Sequence, residues 1–81
     1  MNTGDSKYVA KTNIGHHIRM QLKKSGHSVV WLAEQLQFSR TNVYKIFEKH
    51  SISTEELMRI SIILGFDFFK IYTNELDDLN G

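Results

Sequence analysis

The chain of 81 residues has neither cysteine nor proline, a single tryptophan, and no long hydrophobic run. The lack of cysteine excludes a disulfide scaffold, a thiolate zinc site and a cysteine nucleophile. Without proline, only glycines and capping residues can end the helices. The longest apolar cluster, residues 60–64, is too short to span a bilayer, and residues 1–12 lack the apolar run of a secretory signal. We therefore expect a cytoplasmic protein without membrane association.

The composition is that of one small globular domain, with 41% hydrophobic residues and a formal net charge of +1. All ten lysines and arginines lie between Lys7 and Lys70, whereas four of the nine acidic residues lie outside that stretch. A mildly basic body with an acidic tail is compatible with DNA binding, and an ordinary solvated surface has the same composition.

From Asn13 onward the apolar residues recur at intervals of three and four, which predicts an all-α fold, a compact bundle of five helices. The flanking polar residues predict a flexible N-terminal arm over residues 1–12, a domain over residues 13–76 and a frayed acidic tail over residues 77–81. The predicted helices cover residues 13–24, 28–36, 39–49, 53–64 and 67–76.

Capping signals support these boundaries. Ser53 and Glu56 form a capping box, flanked by Ile52 and Leu57 as a hydrophobic staple. Other start and stop signals are single residues suited to helix ends: Ser28, Ser39 and Asp67 as N-caps, and Gly26 and Gly65 as C-caps.

The second and third helices carry the functional signal. A connector of two or three residues between short helices forces a sharp angle, the geometry of a helix-turn-helix, and the small Ala33 suits a close helix crossing. With Val43, Ile46 and Phe47 facing inward, the helical repeat turns Thr41 outward. Lys45 and Glu48 share that outward face, flanked by Asn42, Tyr44 and Lys49.

The stretch from Ser28 to Glu48, SVVWLAEQLQFSRTNVYKIFE, resembles the helix-turn-helix of the lambda-repressor-like (Cro and XRE type) regulators, a prokaryotic DNA-binding family. The later segment from Leu57 through Gly65 and Phe66 resembles the fourth helix of that family. The resemblance covers about residues 13–76. It implies a lambda-repressor-like fold and a sequence-specific transcriptional regulator that binds double-stranded DNA.

In a helix-turn-helix, the first residues of the second helix of the pair meet base edges in the major groove. Arg40 suits guanine, Asn42 suits adenine, and Thr41 can hydrogen-bond to a base or touch a thymine methyl group. Further candidates for base or phosphate contacts lie on the same helix or at helix ends: Tyr44, Lys45, Lys49, His50, Ser28 and Ser39.

Two residues depart from the family pattern. Gln37 stands where the family often has glycine in a left-handed turn, which costs on the order of 1 kcal/mol, so we expect a different turn. Val29 stands where the family often has a DNA-contacting glutamine, and it cannot form that hydrogen bond.

The other reactive residue types do not form a recognisable site. His16 and His17 point about 100° apart on a helix, and His27 and His50 lie in connectors without ligand spacing. We expect no metal, no cofactor, no small-molecule ligand and no enzyme activity in a chain of this size.

Two alternatives remain open. The chain is either a DNA-binding regulator or a protein-interaction or antitoxin-like module on the same fold, and salt dependence of binding would separate them. Trp31 either packs in the interior or lies exposed at an interface with a protein partner. The surplus of apolar residues on the fifth helix, Phe68, Phe69 and Tyr72, predicts a homodimer interface, with a monomer as the alternative.

Overall fold

The computed structural model describes residues 11–80, so most of the predicted N-terminal arm lies outside the described residues. Residues 11–80 form five α-helices and contain no strand, which confirms the all-α prediction. The helices are α1 (Ile14–Ser25), α2 (Val29–Leu36), α3 (Arg40–Phe47), α4 (Thr54–Leu64) and α5 (Phe69–Asn80).

Capping residues set most helix ends as predicted. The Ser53 hydroxyl accepts a hydrogen bond from the Glu56 backbone N–H at 3.1 Å, and the Asp67 carboxylate accepts one from the Phe69 N–H at 3.0 Å. Gly26 and Gly65 end α1 and α4 in the left-handed conformation, with φ of 82° and 63°. Because a β-carbon disfavours this conformation, glycine suits both positions.

Two helices end at residues other than those the sequence predicts. Helix α3 ends at Phe47 rather than Lys49, because the chain turns there and the carbonyl oxygens of Lys49 and His50 accept hydrogen bonds from the start of α1. Helix α5 continues to Asn80, so the frayed tail predicted from residue 77 is helical through residue 80. Leu79 lies one turn beyond Leu76 and continues the apolar stripe of α5.

The core is formed by side chains of α1, α2, α3 and α4 together with Phe68, which comes just before α5. Its members are apolar side chains with at most 8% of their surface exposed: Ile14, Ile18, Leu22, Leu32, Ala33, Leu36, Val43, Ile46, Phe47, Leu57, Ile60 and Phe68. The apolar residues of the α1 and α3 stripes are all in this set, as are Leu32, Ala33 and Leu36 of α2, whereas Val29 of α2 is only partly buried. In α4, Leu64 is only half-buried because it lies in the last turn.

The start of α1 closely approaches the end of α3. The Gly15 N–H donates to the Lys49 carbonyl oxygen at 2.9 Å, and the Ile14 N–H donates to the His50 carbonyl oxygen at 3.4 Å. The N-terminal amides of α1 thereby use carbonyl groups just beyond α3, which satisfies groups that a helix end otherwise leaves unpaired. This contact fixes the end of α3 relative to the core.

The turn between α2 and α3 differs from our expectation. Gln37 adopts the left-handed conformation, with φ of 60° and ψ of 39°, although it is not glycine. The Phe38 N–H donates to the Ala33 carbonyl oxygen at 2.9 Å, and the Arg59 guanidinium donates to the Leu36 carbonyl oxygen at 3.2 Å. These hydrogen bonds offset the cost of the left-handed glutamine, on the order of 1 kcal/mol.

Residues 11 and 12, assigned to the flexible arm, are held against α5. The Glu75 carboxylate accepts hydrogen bonds from the backbone N–H groups of Lys11 and Thr12, both at 2.9 Å, and from the Thr12 hydroxyl. Thr12 is buried as a result. The ordered domain therefore begins before Asn13.

Candidate nucleic-acid interface

The candidate interface is built on the exposed side of α3. Val43, Ile46 and Phe47 are buried, which confirms the predicted inward face. The opposite side carries polar and aromatic side chains that the sequence assigned to DNA contacts, and all of them are exposed: Arg40, Thr41, Asn42, Tyr44 and Lys45. Because its apolar side is fully used in the core, α3 presents this polar side as one continuous surface.

The two serines predicted to contact phosphate are the N-caps of α2 and α3. The Ser28 hydroxyl oxygen accepts a hydrogen bond from the Trp31 N–H at 3.0 Å, and the Ser39 hydroxyl oxygen accepts one from the Asn42 N–H at 3.1 Å. Both serines are exposed, so each hydroxyl proton remains free to donate outward. Each serine therefore places a hydroxyl donor at the N-terminus of its helix.

Tyr44 and Lys49 differ in how they are held. The Tyr44 ring packs edge-on against Phe47, with 5.9 Å between ring centroids, and half of the tyrosine surface stays exposed. Lys49 lies beyond the end of α3, and its ammonium group forms an ion pair with Glu56 at 3.4 Å. Since that pair partly neutralises Lys49, its side chain belongs to the junction with α4 more than to the exposed side of α3.

The aromatic residues predicted at a dimer interface do not share one environment. Phe68 is fully buried, so its assignment to an interface is wrong: its ring packs against Phe66, with 4.7 Å between centroids. Phe69 and Tyr72 are half-buried. Burial and, to a smaller extent, the Glu75 carboxylate raise the pKa of Tyr72, so its hydroxyl stays neutral at physiological pH.

Trp31 occupies an intermediate position between the two predicted alternatives. Its side chain is half-buried against the core, and its indole stacks on the His27 ring with 3.6 Å between centroids and 9° between planes. The histidine ring therefore covers one face of the indole.

Within residues 11–80, no three or more His, Asp and Glu side chains lie close enough together to hold a metal ion. No helix in the same part of the chain is long and apolar enough to cross a membrane.

Sequence reasoning placed the α3 side chains correctly but missed the tertiary contacts that hold α3. The Gly15 contact, the Arg59 hydrogen bond and the Glu75 contacts join positions far apart in the chain, and no local pattern identifies them.

Comparison of the chain with protein-family models, curated proteins and solved structures found no match.

Proposed function

We propose that this chain is a sequence-specific, double-stranded-DNA-binding transcriptional regulator of the lambda-repressor-like helix-turn-helix type. The observation that carries the proposal is the exposed polar side of α3, a short helix whose other side is wholly buried and whose N-terminus follows a three-residue connector after α2. An α-helix presented in this way fits the major groove of B-DNA. The sequence resemblance supports the same assignment.

The side chains on α3 match the chemistry of base edges and phosphates. Arg40 and Asn42 lie in the first turn, where a recognition helix meets bases; arginine pairs with guanine and asparagine with adenine through two hydrogen bonds each. Thr41 contacts a base or a thymine methyl group. Tyr44 and Lys45, one turn further on, contact phosphates or base edges.

Selection of bound sequences from random duplex DNA, followed by titration of Arg40→Ala, tests this proposal. We expect this variant to lose about 1–3 kcal/mol of binding free energy on the selected site and to relax preference at one base pair. Lys45→Ala is the contrasting variant. If Lys45 contacts phosphate, this variant should bind all DNA sequences more weakly by a similar factor. Wild-type protein that shows no salt-dependent DNA binding would contradict the proposal and favour the protein-interaction module.

The regulator works as a homodimer in this proposal, because one recognition helix reads too few base pairs to select a genomic site. The interface we propose lies on α5. Compared with the interface predicted from the sequence, it also includes Leu76 and Leu79, and it leaves out the buried Phe68. Phe69, Tyr72, Leu76 and Leu79 form one stripe, and the two leucines are 58% and 52% exposed.

The stripe favours a second copy of the chain as its partner. Its spacing of three, four and three residues is symmetric, so an antiparallel copy places Phe69 opposite Leu79 and Tyr72 opposite Leu76.

Sedimentation equilibrium of Leu76→Glu measures this interface. We expect wild-type dimers and a monomeric variant, because a carboxylate at the centre of the stripe would lose its hydration on pairing. Ile62→Glu is the matched control: Ile62 is 72% exposed but lies on α4, so this variant should remain dimeric. A wild type that is monomeric at high micromolar concentration, and binds a half-site as well as a palindrome, would contradict the dimer.

A further inference from the structure

A groove of about 270 Å³ lies where α1, the start of α2 and the middle of α3 meet. Its floor is apolar and includes Leu22 and Phe47. Its polar lining comes from all three helices and their junctions: Arg19, Lys23, His27, Ser28 and Tyr44. None of the lining residues is acidic, so the groove attracts anions.

The two strong cations of the groove are available to a ligand. Arg19 and Lys23 are exposed, lie one turn apart on α1, and form no ion pair with another described residue. The Arg19 guanidinium carbon lies 5.8 Å from the centre of the Phe47 ring, a cation–π distance that directs the group over the groove. Lys23 adds a second, exposed positive charge beside this oriented guanidinium.

The position of Tyr44 links this groove to the recognition surface. Tyr44 lines the groove and also lies on the exposed side of α3. When α3 lies in the major groove of a duplex, one sugar-phosphate strand of that duplex therefore passes beside α3, next to this groove. We propose that the groove seats phosphate groups of that strand, with Arg19 and Lys23 of α1 as the binding cations. This inference rests on the proposed DNA-binding function and extends the interface to α1.

The chain offers a matched pair of variants for testing the groove, Lys23→Ala and Lys24→Ala. The two lysines are adjacent and exposed at the end of α1, and only Lys23 lines the groove. Binding to the selected duplex is measured from about 0.05 to 0.3 M salt. Loss of one phosphate contact should reduce the slope of log affinity against log salt by about 0.9, which is about fivefold in affinity at 0.15 M salt. We expect this change for Lys23→Ala and not for Lys24→Ala.

The outcomes separate this inference from the proposed function. Wild-type protein that does not bind duplex DNA would contradict both. Equal effects of Lys23→Ala and Lys24→Ala, with wild-type binding intact, would overturn the groove assignment alone.

A parallel titration with inorganic phosphate, followed by amide chemical shifts around Tyr44, distinguishes a free anion from the DNA backbone. Saturation at low millimolar phosphate that Lys23→Ala abolishes, while DNA binding stays unchanged, would also overturn the assignment. Competition between phosphate and duplex DNA for the groove supports it.

Discussion

Gly15→Ala should destabilise the protein by roughly 1–3 kcal/mol, even though alanine is the better helix former by about 1 kcal/mol. A β-carbon at residue 15 would lie 2.4 Å from the Ile46 carbonyl oxygen, 2.5 Å from the Phe47 carbonyl oxygen and 2.6 Å from the Phe47 carbonyl carbon. All three atoms are backbone, so no side-chain rotation can relieve the overlap. Helix α1 or the end of α3 must move, and core contacts are lost.

Urea denaturation of Gly15→Ala and His16→Ala measures the effect. His16 is exposed in the same turn of α1, so its replacement should change the free energy of unfolding by no more than about 0.5 kcal/mol. Equal or greater stability of Gly15→Ala would show that α1 and α3 are further apart than described. If the proposed DNA-binding function is right, the same variant should also weaken DNA binding at temperatures where it remains folded, because the contact fixes the end of α3.

The contrast between Gly15 and Gly26 shows how far sequence reasoning reaches. Gly26 comes shortly after two lysines, where the apolar stripe of α1 ends. The local sequence pattern alone therefore predicts that it is a C-cap. Gly15 lies inside a helix, where glycine is unfavourable, and the backbone that leaves no room for a β-carbon there belongs to the end of α3, far along the chain. Periodicity and caps therefore predicted the helices and their buried sides, but not the contacts between them.

The candidate site divides in the same way. The outward side of α3 follows from 100° per residue once Val43 and Ile46 are placed inward, so its exposed residues were predictable. The cationic groove depends on α1 lying beside α3, which no local pattern specifies. Arg19 and Lys23 lie off the apolar stripe of α1, a position that an ordinary solvated side chain shares.

The fifth helix shows a limit of counting apolar residues. The sequence has more apolar side chains there than one stripe can bury. In the structure, several of these side chains remain partly or largely exposed. Which of them is buried depends on how the chain enters the helix after Gly65. Phe68 precedes the first residue of α5 and points into the core, whereas Leu76 and Leu79 lie at the other end and are exposed.

Phe68→Ala should lower the free energy of unfolding by about 3–5 kcal/mol, because a fully buried aromatic side chain leaves a large cavity when truncated. Phe69→Ala is the matched control: its side chain is half-buried, so its loss should cost less than half as much. Urea denaturation at two protein concentrations measures both, and Phe68→Leu keeps a folded variant available if alanine unfolds the domain. A core role predicts that the Phe68 effect is the same at both concentrations. An effect that disappears on dilution would instead place Phe68 at the dimer interface. Only a contribution from association between copies of the chain depends on protein concentration.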